Sequence, residues 1–129
     1  MAERTWSCMC GNFEGKVSGD PSLTVWCHCN QCRKQTGAAM QLGVFPKLEV
    51  MKGADDLIDF EANAGSNVHR FSCKKCGSFA YKKIGDDMLV APLGALSGDV
   101  IKPTCHIFVK HKGHQEIMFD DLPQHDEFP

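Results

Sequence analysis

Six consecutive residues, Cys27-His28-Cys29-Asn30-Gln31-Cys32, carry three of the chain's eight cysteines. Nothing else in the sequence restricts the possible folds so tightly. A disulfide uses two sulfurs at a fixed geometry, and no bridging pattern within this stretch employs all three. Thiolates crowded in this way have one common use, which is gripping a soft metal ion. A second kind of cluster lies on either side, Cys8-Met9-Cys10-Gly11 upstream and Cys73-Lys74-Lys75-Cys76-Gly77 downstream. The functional question is therefore which cysteines share a metal, and whether one metal keeps an open position.

The two flanking clusters share a design, since each ends in Cys-Gly. Glycine there allows a positive φ, which turns backbone amides toward the thiolate. Cys73-x-x-Cys76 between two strands reads as a zinc knuckle, and Cys8-x-Cys10 as its partner. Together they supply four sulfurs, the closed tetrahedral set of a structural zinc. Such a centre would tie residue 8 to residue 76, a large stabilising term for a small β protein. Lys74 and Lys75 would either offset the charge of the four-thiolate ion or stand solvated in the turn.

Cys27, Cys29 and Cys32 remain for a second zinc with three protein sulfurs. Catalytic zinc has three protein ligands and one exchangeable one. Three thiolates leave the ion electron-rich and poor at acidifying water, whereas a coordinating thiol is deprotonated outright. The expected chemistry is thus a thiolate presented to an electrophile such as an aldehyde, and hydrolysis fits less well. The eighth sulfur, Cys105, would instead close this site and make it structural. Cys105 and His106 are strand neighbours facing opposite ways, so only one can face the cluster. Sulfur arithmetic leaves both versions open.

Composition excludes other classes. Net charge is −2, and the densest basic patches are Lys82-Lys83 and Lys110-His111-Lys112, both read as solvated strand ends. A nucleic-acid binder needs a basic face, so no nucleic-acid partner is expected. No stretch approaches the roughly 18 consecutive apolar residues of a membrane span, so no membrane partner is expected either. The first residues lack the apolar core of a secretory signal, which points to a reducing compartment, cytoplasmic or alternatively nuclear. There CxC and CxxC clusters mean metal sites more than disulfides. Nothing in the sequence sets an oligomeric state.

The 129 residues carry no repeat or linker and read as a single zinc-binding domain, 1–129. Short β-favouring runs recur between turn signals at residues 12–17, 23–27, 40–45, 48–52, 57–61, 68–73, 78–84, 88–96, 105–110 and 116–119. One helical turn is expected over 33–39, ending near Gly37. The fold class that follows is mostly β and antiparallel, stapled by zinc. The tail from Asp120 to Pro129 is expected to wrap the surface.

With these clusters in order, the chain resembles the glutathione-dependent formaldehyde-activating enzyme family, which also includes centromere protein V. The resemblance runs through Ser7-Cys8-Met9-Cys10-Gly11 and Cys27-His28-Cys29-Asn30-Gln31-Cys32-Arg33 with Gly37. It continues through His69-Arg70-Phe71-Ser72-Cys73-Lys74-Lys75-Cys76-Gly77-Ser78, Pro103-Thr104-Cys105-His106-Ile107 and Asp121-Leu122-Pro123. It implies a β-tent fold, a structural zinc on the outer clusters and a catalytic zinc on the middle one. The implied activity is that of a carbon–sulfur lyase joining formaldehyde and glutathione into S-(hydroxymethyl)glutathione. Partners would then be a small-molecule thiol and an aldehyde. Cys105 and His114 depart from the family pattern. Two further residues are candidates at the site: His28, as a substrate contact or proton shuttle, and Arg33, as a bidentate partner for a carboxylate of the thiol substrate. Trp26 reads as core, and His69 and Arg70 as fixing the CxxC loop.

Overall fold

A computed structural model describes residues 2–129. Ten strands make two sheets, and all but one of the strand pairs are antiparallel. β1 (Glu3–Ser7), β2 (Glu14–Ser18) and β5 (Lys47–Lys52) form the smaller sheet in the order β1-β2-β5. The larger sheet holds β3 (Leu23–Cys27), β4 (Met40–Phe45), β6 (Leu57–Phe60), β7 (Val68–Cys73), β8 (Phe79–Ile84), β9 (Met88–Pro92) and β10 (Cys105–Ile107). Its order is β10-β3-β4-β9-β8-β7-β6, with β10 parallel to β3. The mostly β, antiparallel expectation is what the chain adopts.

Strand alternation gives the larger sheet two different faces. Phe45, Cys73 and Ala91 turn one way, into a core shared with Trp6, Phe13 and Val17 of the smaller-sheet layer. Trp6 also donates from Nε1 to the Ala80 carbonyl at 2.9 Å, so its polar edge is satisfied inside that layer. Val25, Cys27, Leu42 and Val90 turn the other way and join Cys32, Cys105 and Ile107 in a second core. The upstream knuckle therefore serves the first face and the middle cluster the second.

Several element boundaries differ from the sequence expectation. β1 has no counterpart in it, because only Trp6 on that strand is buried and an isolated apolar residue sets no period. α1 (Asn30–Thr36) begins three residues earlier than residues 33–39. Cys29 is its N-cap, its sulfur accepting the Cys32 amide at 3.2 Å, and Gly37 closes it with φ 81°. The 88–96 run stops at Pro92 and continues as a 3-10 turn over Leu93–Ala95. β10 stops at Ile107, because Phe108 takes a left-handed φ of 54° and opens a 3-10 turn.

Residues 116–119 form no strand; Glu116 is drawn inward to His28 instead. The tail does wrap the surface, in a specific way. Backbone bonds from His106 to Pro123, His125 to His106 and Val109 to His125 lay it along β10. That covers a sheet edge that would otherwise offer unpaired amides.

Candidate metal centres and cavity

The upstream and downstream knuckles meet, as their common design suggested. Gly11 and Gly77 stand at φ 78° and 81°, each donating its amide back to the first cysteine of its loop, Cys8 and Cys73. The Met9 amide donates to the Ser78 hydroxyl at 3.0 Å, linking the loops, and within the upstream loop the Phe13 amide donates to the Cys8 sulfur at 3.2 Å. The sulfurs of Cys8, Cys10, Cys73 and Cys76 all lie within 4.8 Å of one another. Cys8 and Cys10 are 3.6 Å apart and Cys10 and Cys73 are 3.8 Å apart. Tetrahedral zinc with 2.3 Å bonds to sulfur requires about 3.8 Å between sulfurs, so the donor set fits the ion.

The thiols in this group titrate unequally, as close sulfurs must. Cys76 is pulled down to about 5, first by the Ser78 hydroxyl and then by backbone amides. Cys10 ends at about 11, because burial and the three neighbouring sulfurs outweigh the opposing bond from Asn12. Lys74 and Lys75 pair with Asp56, at 3.3 and 3.6 Å, while more than half of each side chain stays in solvent. Asp56 also accepts from Asn12 at 2.8 Å, which pins the two loops to each other.

Cys27, Cys29 and Cys32 form the other sulfur group within 4.8 Å. The end of β3 delivers Cys27, the helix cap Cys29 and the first turn of α1 Cys32. Cys27 and Cys32 are 3.3 Å apart and essentially without solvent contact. The Cys29 thiol is pulled far down, first by the Cys27 thiol and then by Cys32; Cys27 is pushed far up, first by its hydrogen bond with Cys29, then by that with Cys32 and by burial. All eight cysteines are free thiols. Cys105 pairs with Val25 across β10–β3, one face-repeat away from Cys27, and is not part of the sulfur group. Burial raises its pKa, so it behaves as a neutral core thiol.

Two cations the sequence reading left elsewhere stand at this cluster. Arg70 is 5% exposed, and its guanidinium lies 3.6 Å from the Cys32 sulfur and 3.8 Å from the Cys29 sulfur. Gln31 and Gln35 of α1 orient it through acceptors at 3.3 and 2.9 Å. Lys82, 6% exposed, is Arg70's register partner on β8, and its charge favours the thiolates of Cys27 and Cys29. Lys82 is thus no solvated strand end, and Arg70 holds the middle cluster instead of the CxxC loop. The signal was available in alternation: Val68, Arg70 and Ser72 share parity, as do Lys82 and Ile84.

His28 and Arg33 lie elsewhere. The Arg33 guanidinium donates to Asn30 at 2.7 Å and does not line the cavity. His28, 2% exposed, points away from the sulfurs into a row of side chains that starts in the interior and ends at the surface. Its Nδ1 meets Glu116, its Nε2 meets His106 Nδ1 at 2.8 Å, and His106 Nε2 meets Asp120 at 2.9 Å. Burial lowers the His28 pKa, with Glu116 opposing. Trp26 stacks on His106 with ring centroids 6.4 Å apart.

A cavity of about 410 Å³ opens beside the trio, with Cys27, Cys29, Arg70 and Lys82 in its wall. Strands β3, β4, β7, β8 and β9 give it an apolar floor, and Phe108, His111 and Phe128 stand at its rim. The knuckle cysteines do not border it.

A solved Rhodobacter sphaeroides structure shares the fold with a TM-score of 0.60 over 74% of this chain and 89% of that one, at 21% identity. A Podospora anserina protein described under the name of glutathione-dependent formaldehyde-activating enzymes is 29% identical over 85 residues. That match covers 62% of this chain and 39% of the relative, so the chain spans well under half of its length. No helix among the described residues is long and apolar enough to cross a membrane. The family model of glutathione-dependent formaldehyde-activating enzymes matches residues 3–111, a span of this chain that includes both sulfur groups and the two buried cations: the chain belongs to the glutathione-dependent formaldehyde-activating enzyme family.

Proposed function

We propose that the protein is a zinc-dependent carbon–sulfur lyase-like enzyme that joins, or separates, a small thiol and an aldehyde such as formaldehyde. The observation that carries this reading is the trio of sulfurs bordering a cavity beside two buried cations. In it Cys8, Cys10, Cys73 and Cys76 hold a structural zinc, while Cys27, Cys29 and Cys32 hold a catalytic one.

When bound at the trio, zinc would hold the outside thiol as its thiolate. The protein's own contribution is electrostatic. Three thiolates and a divalent ion sum to −1, and Arg70 with Lys82 brings the surroundings to +1. One incoming thiolate cancels that charge, whereas a neutral ligand leaves it unbalanced in a buried place. Arg70 is a positioning residue here, held by Gln31 and Gln35 so that it steadies Cys29 and Cys32. In the synthetic direction the thiolate sulfur bonds the carbonyl carbon, the carbonyl π bond opens and its oxygen takes up the proton that the thiol released. Cleavage is the reverse. His28, turned into the Glu116–His106–Asp120 row, anchors the cluster loop to the C-terminal segment and takes no part in proton transfer to substrate. Free, closely spaced sulfurs suit a reducing compartment, and the cytoplasm is the proposed location.

The alternative, a binding module with two structural zincs, draws on the centromere-protein branch of the family. It needs a fourth side chain at the trio, and Cys105 lies outside the sulfur group. The test is exchange spectroscopy of formaldehyde with a thiol in the presence of the zinc-loaded protein. Catalysed exchange that Cys29→Ser abolishes supports the enzyme. Exchange at the uncatalysed rate, with two zincs bound, favours the module.

A further inference from the structure

The walls of the cavity narrow the substrate class, an inference that rests on the proposed thiol chemistry at the trio. From the sulfur end the floor runs along one face of the larger sheet, through Val25, Leu42, Val44, Val90, Ile84 and Met88. Their register makes this face continuous. Val25 stands opposite Leu42, Val44 opposite Val90, Lys82 opposite Val90, and Ile84 opposite Met88. At the far side Phe108 stacks edge-on against Phe128, with centroids 5.2 Å apart. Phe108 holds its place through a left-handed backbone, uncommon for an aromatic residue and found where surroundings over-determine it.

Polar groups in the wall are unevenly placed. Both buried cations, Arg70 and Lys82, stand at the sulfur end with Asn30 and Gln31, and Arg70 is already engaged by two glutamines and two sulfurs; elsewhere in the wall the polar side chains are the uncharged Asn63 and the imidazole of His111. Among the described residues no aspartate or glutamate lines the cavity. Glutathione carries an ammonium group and two carboxylates besides its thiol. The ammonium would find no carboxylate here, and desolvated charges without partners are costly. An alkyl or aryl chain would meet matching surface along the whole floor. A cavity of about 410 Å³ is within the usual range for small-molecule sites.

We propose that this cavity takes a thiol with an apolar tail, or its aldehyde adduct, with the sulfur at the Cys27-Cys29-Cys32 end and the tail along the sheet floor toward Phe108. The tripeptide glutathione is then a poor ligand.

Cobalt-substituted full-length protein gives the test, read as the change in its thiolate-to-metal absorption while ethanethiol, butanethiol, hexanethiol and glutathione are titrated separately. Burying a methylene is worth about a three- to four-fold gain in affinity, so binding should tighten by about that factor per added carbon through hexanethiol. Glutathione should bind more weakly than butanethiol. Met88→Gln and Ile84→Gln, on half-buried strand positions beside a turn, should each weaken hexanethiol several-fold more than ethanethiol. A flat alkyl series, or glutathione as the tightest ligand, overturns the apolar-tail assignment while leaving the thiol site standing. A spectrum that no thiol alters, ethanethiol included, overturns the thiol site and this assignment with it.

Discussion

The two sulfur groups use the same atoms to opposite ends. The knuckle group brings together two cysteine pairs 63 positions apart at their nearest members, Cys10 and Cys73, and surrounds them with amides, a serine hydroxyl and turn glycines. The trio takes its sulfurs from one short segment, surrounds them with arginine and lysine side chains, and borders a cavity. The first arrangement would gain chain connectivity from a metal; the second offers charge compensation and access. What would separate a staple from a working site is therefore the number of sulfurs, the kind of donors behind them and the side of the sheet they face.

The widest separation between the two should appear on losing one sulfur from each. Cys73→Ser removes a ligand that joins both layers, and structural zinc in small domains is worth about 10–16 kcal/mol. That matches or exceeds the whole stability of a domain this size. Loss of β-sheet circular dichroism and of soluble protein is expected. Cys29→Ser, in contrast, should keep the sheet spectrum while bound zinc falls by one equivalent and thiol–aldehyde exchange disappears. Similar unfolding in both variants would erase the distinction.

Arg70→Gln sharpens the comparison at the next level. It removes the charge behind Cys29 and Cys32 and keeps a polar group in reach of α1. Outer partners of metal ligands typically contribute 10–100-fold in affinity or activity, so metal affinity at the trio should fall by about that factor while the knuckle zinc stays bound. A competition titration with a chromophoric chelator resolves the two. Equal weakening of both metals would deny Arg70 its specific role.

A smaller effect is expected from His28→Gln, which breaks the row to His106 and Asp120. Leaving buried partners unsatisfied costs about 1–3 kcal/mol, seen as a lower urea midpoint with both zincs retained. Loss of the second zinc would show His28 to be part of the metal centre. The smallest effect belongs to Cys105→Ala. Two zincs should remain, with about 1 kcal/mol or less lost from the core; one missing equivalent would make Cys105 the closing ligand.

Much of the frame was legible because its signals are local. Cys-Gly endings foretold the positive-φ turns, and β3, β4 and β7 follow from short β-favouring runs between turns. The buried cations were only half legible: alternation groups Arg70 with Val68 and Lys82 with Ile84, but nothing in the sequence places Arg70 of β7 beside α1. Lys82 beside Lys83 looks like a solvated pair until the register assigns opposite faces to neighbours. β1 escaped notice for want of a second buried residue, and the 116–119 run misled because Glu116 is claimed by a buried histidine rather than by a sheet. The placement of His28 also needed the tertiary fold, since parity within Cys27-His28-Cys29 turns it off the sulfurs but does not say toward what.

The central claim is that the trio binds its ion with three protein sulfurs and keeps the remaining position toward the cavity. Anomalous diffraction at the zinc edge from crystals of the zinc-loaded protein tests this directly. The account predicts two zinc peaks, one among Cys8, Cys10, Cys73 and Cys76, the other held by Cys27, Cys29 and Cys32 with a solvent or added thiol as its last ligand. A second peak enclosed by Cys105 or any other side chain, or a trio without zinc and joined as a disulfide, would contradict it.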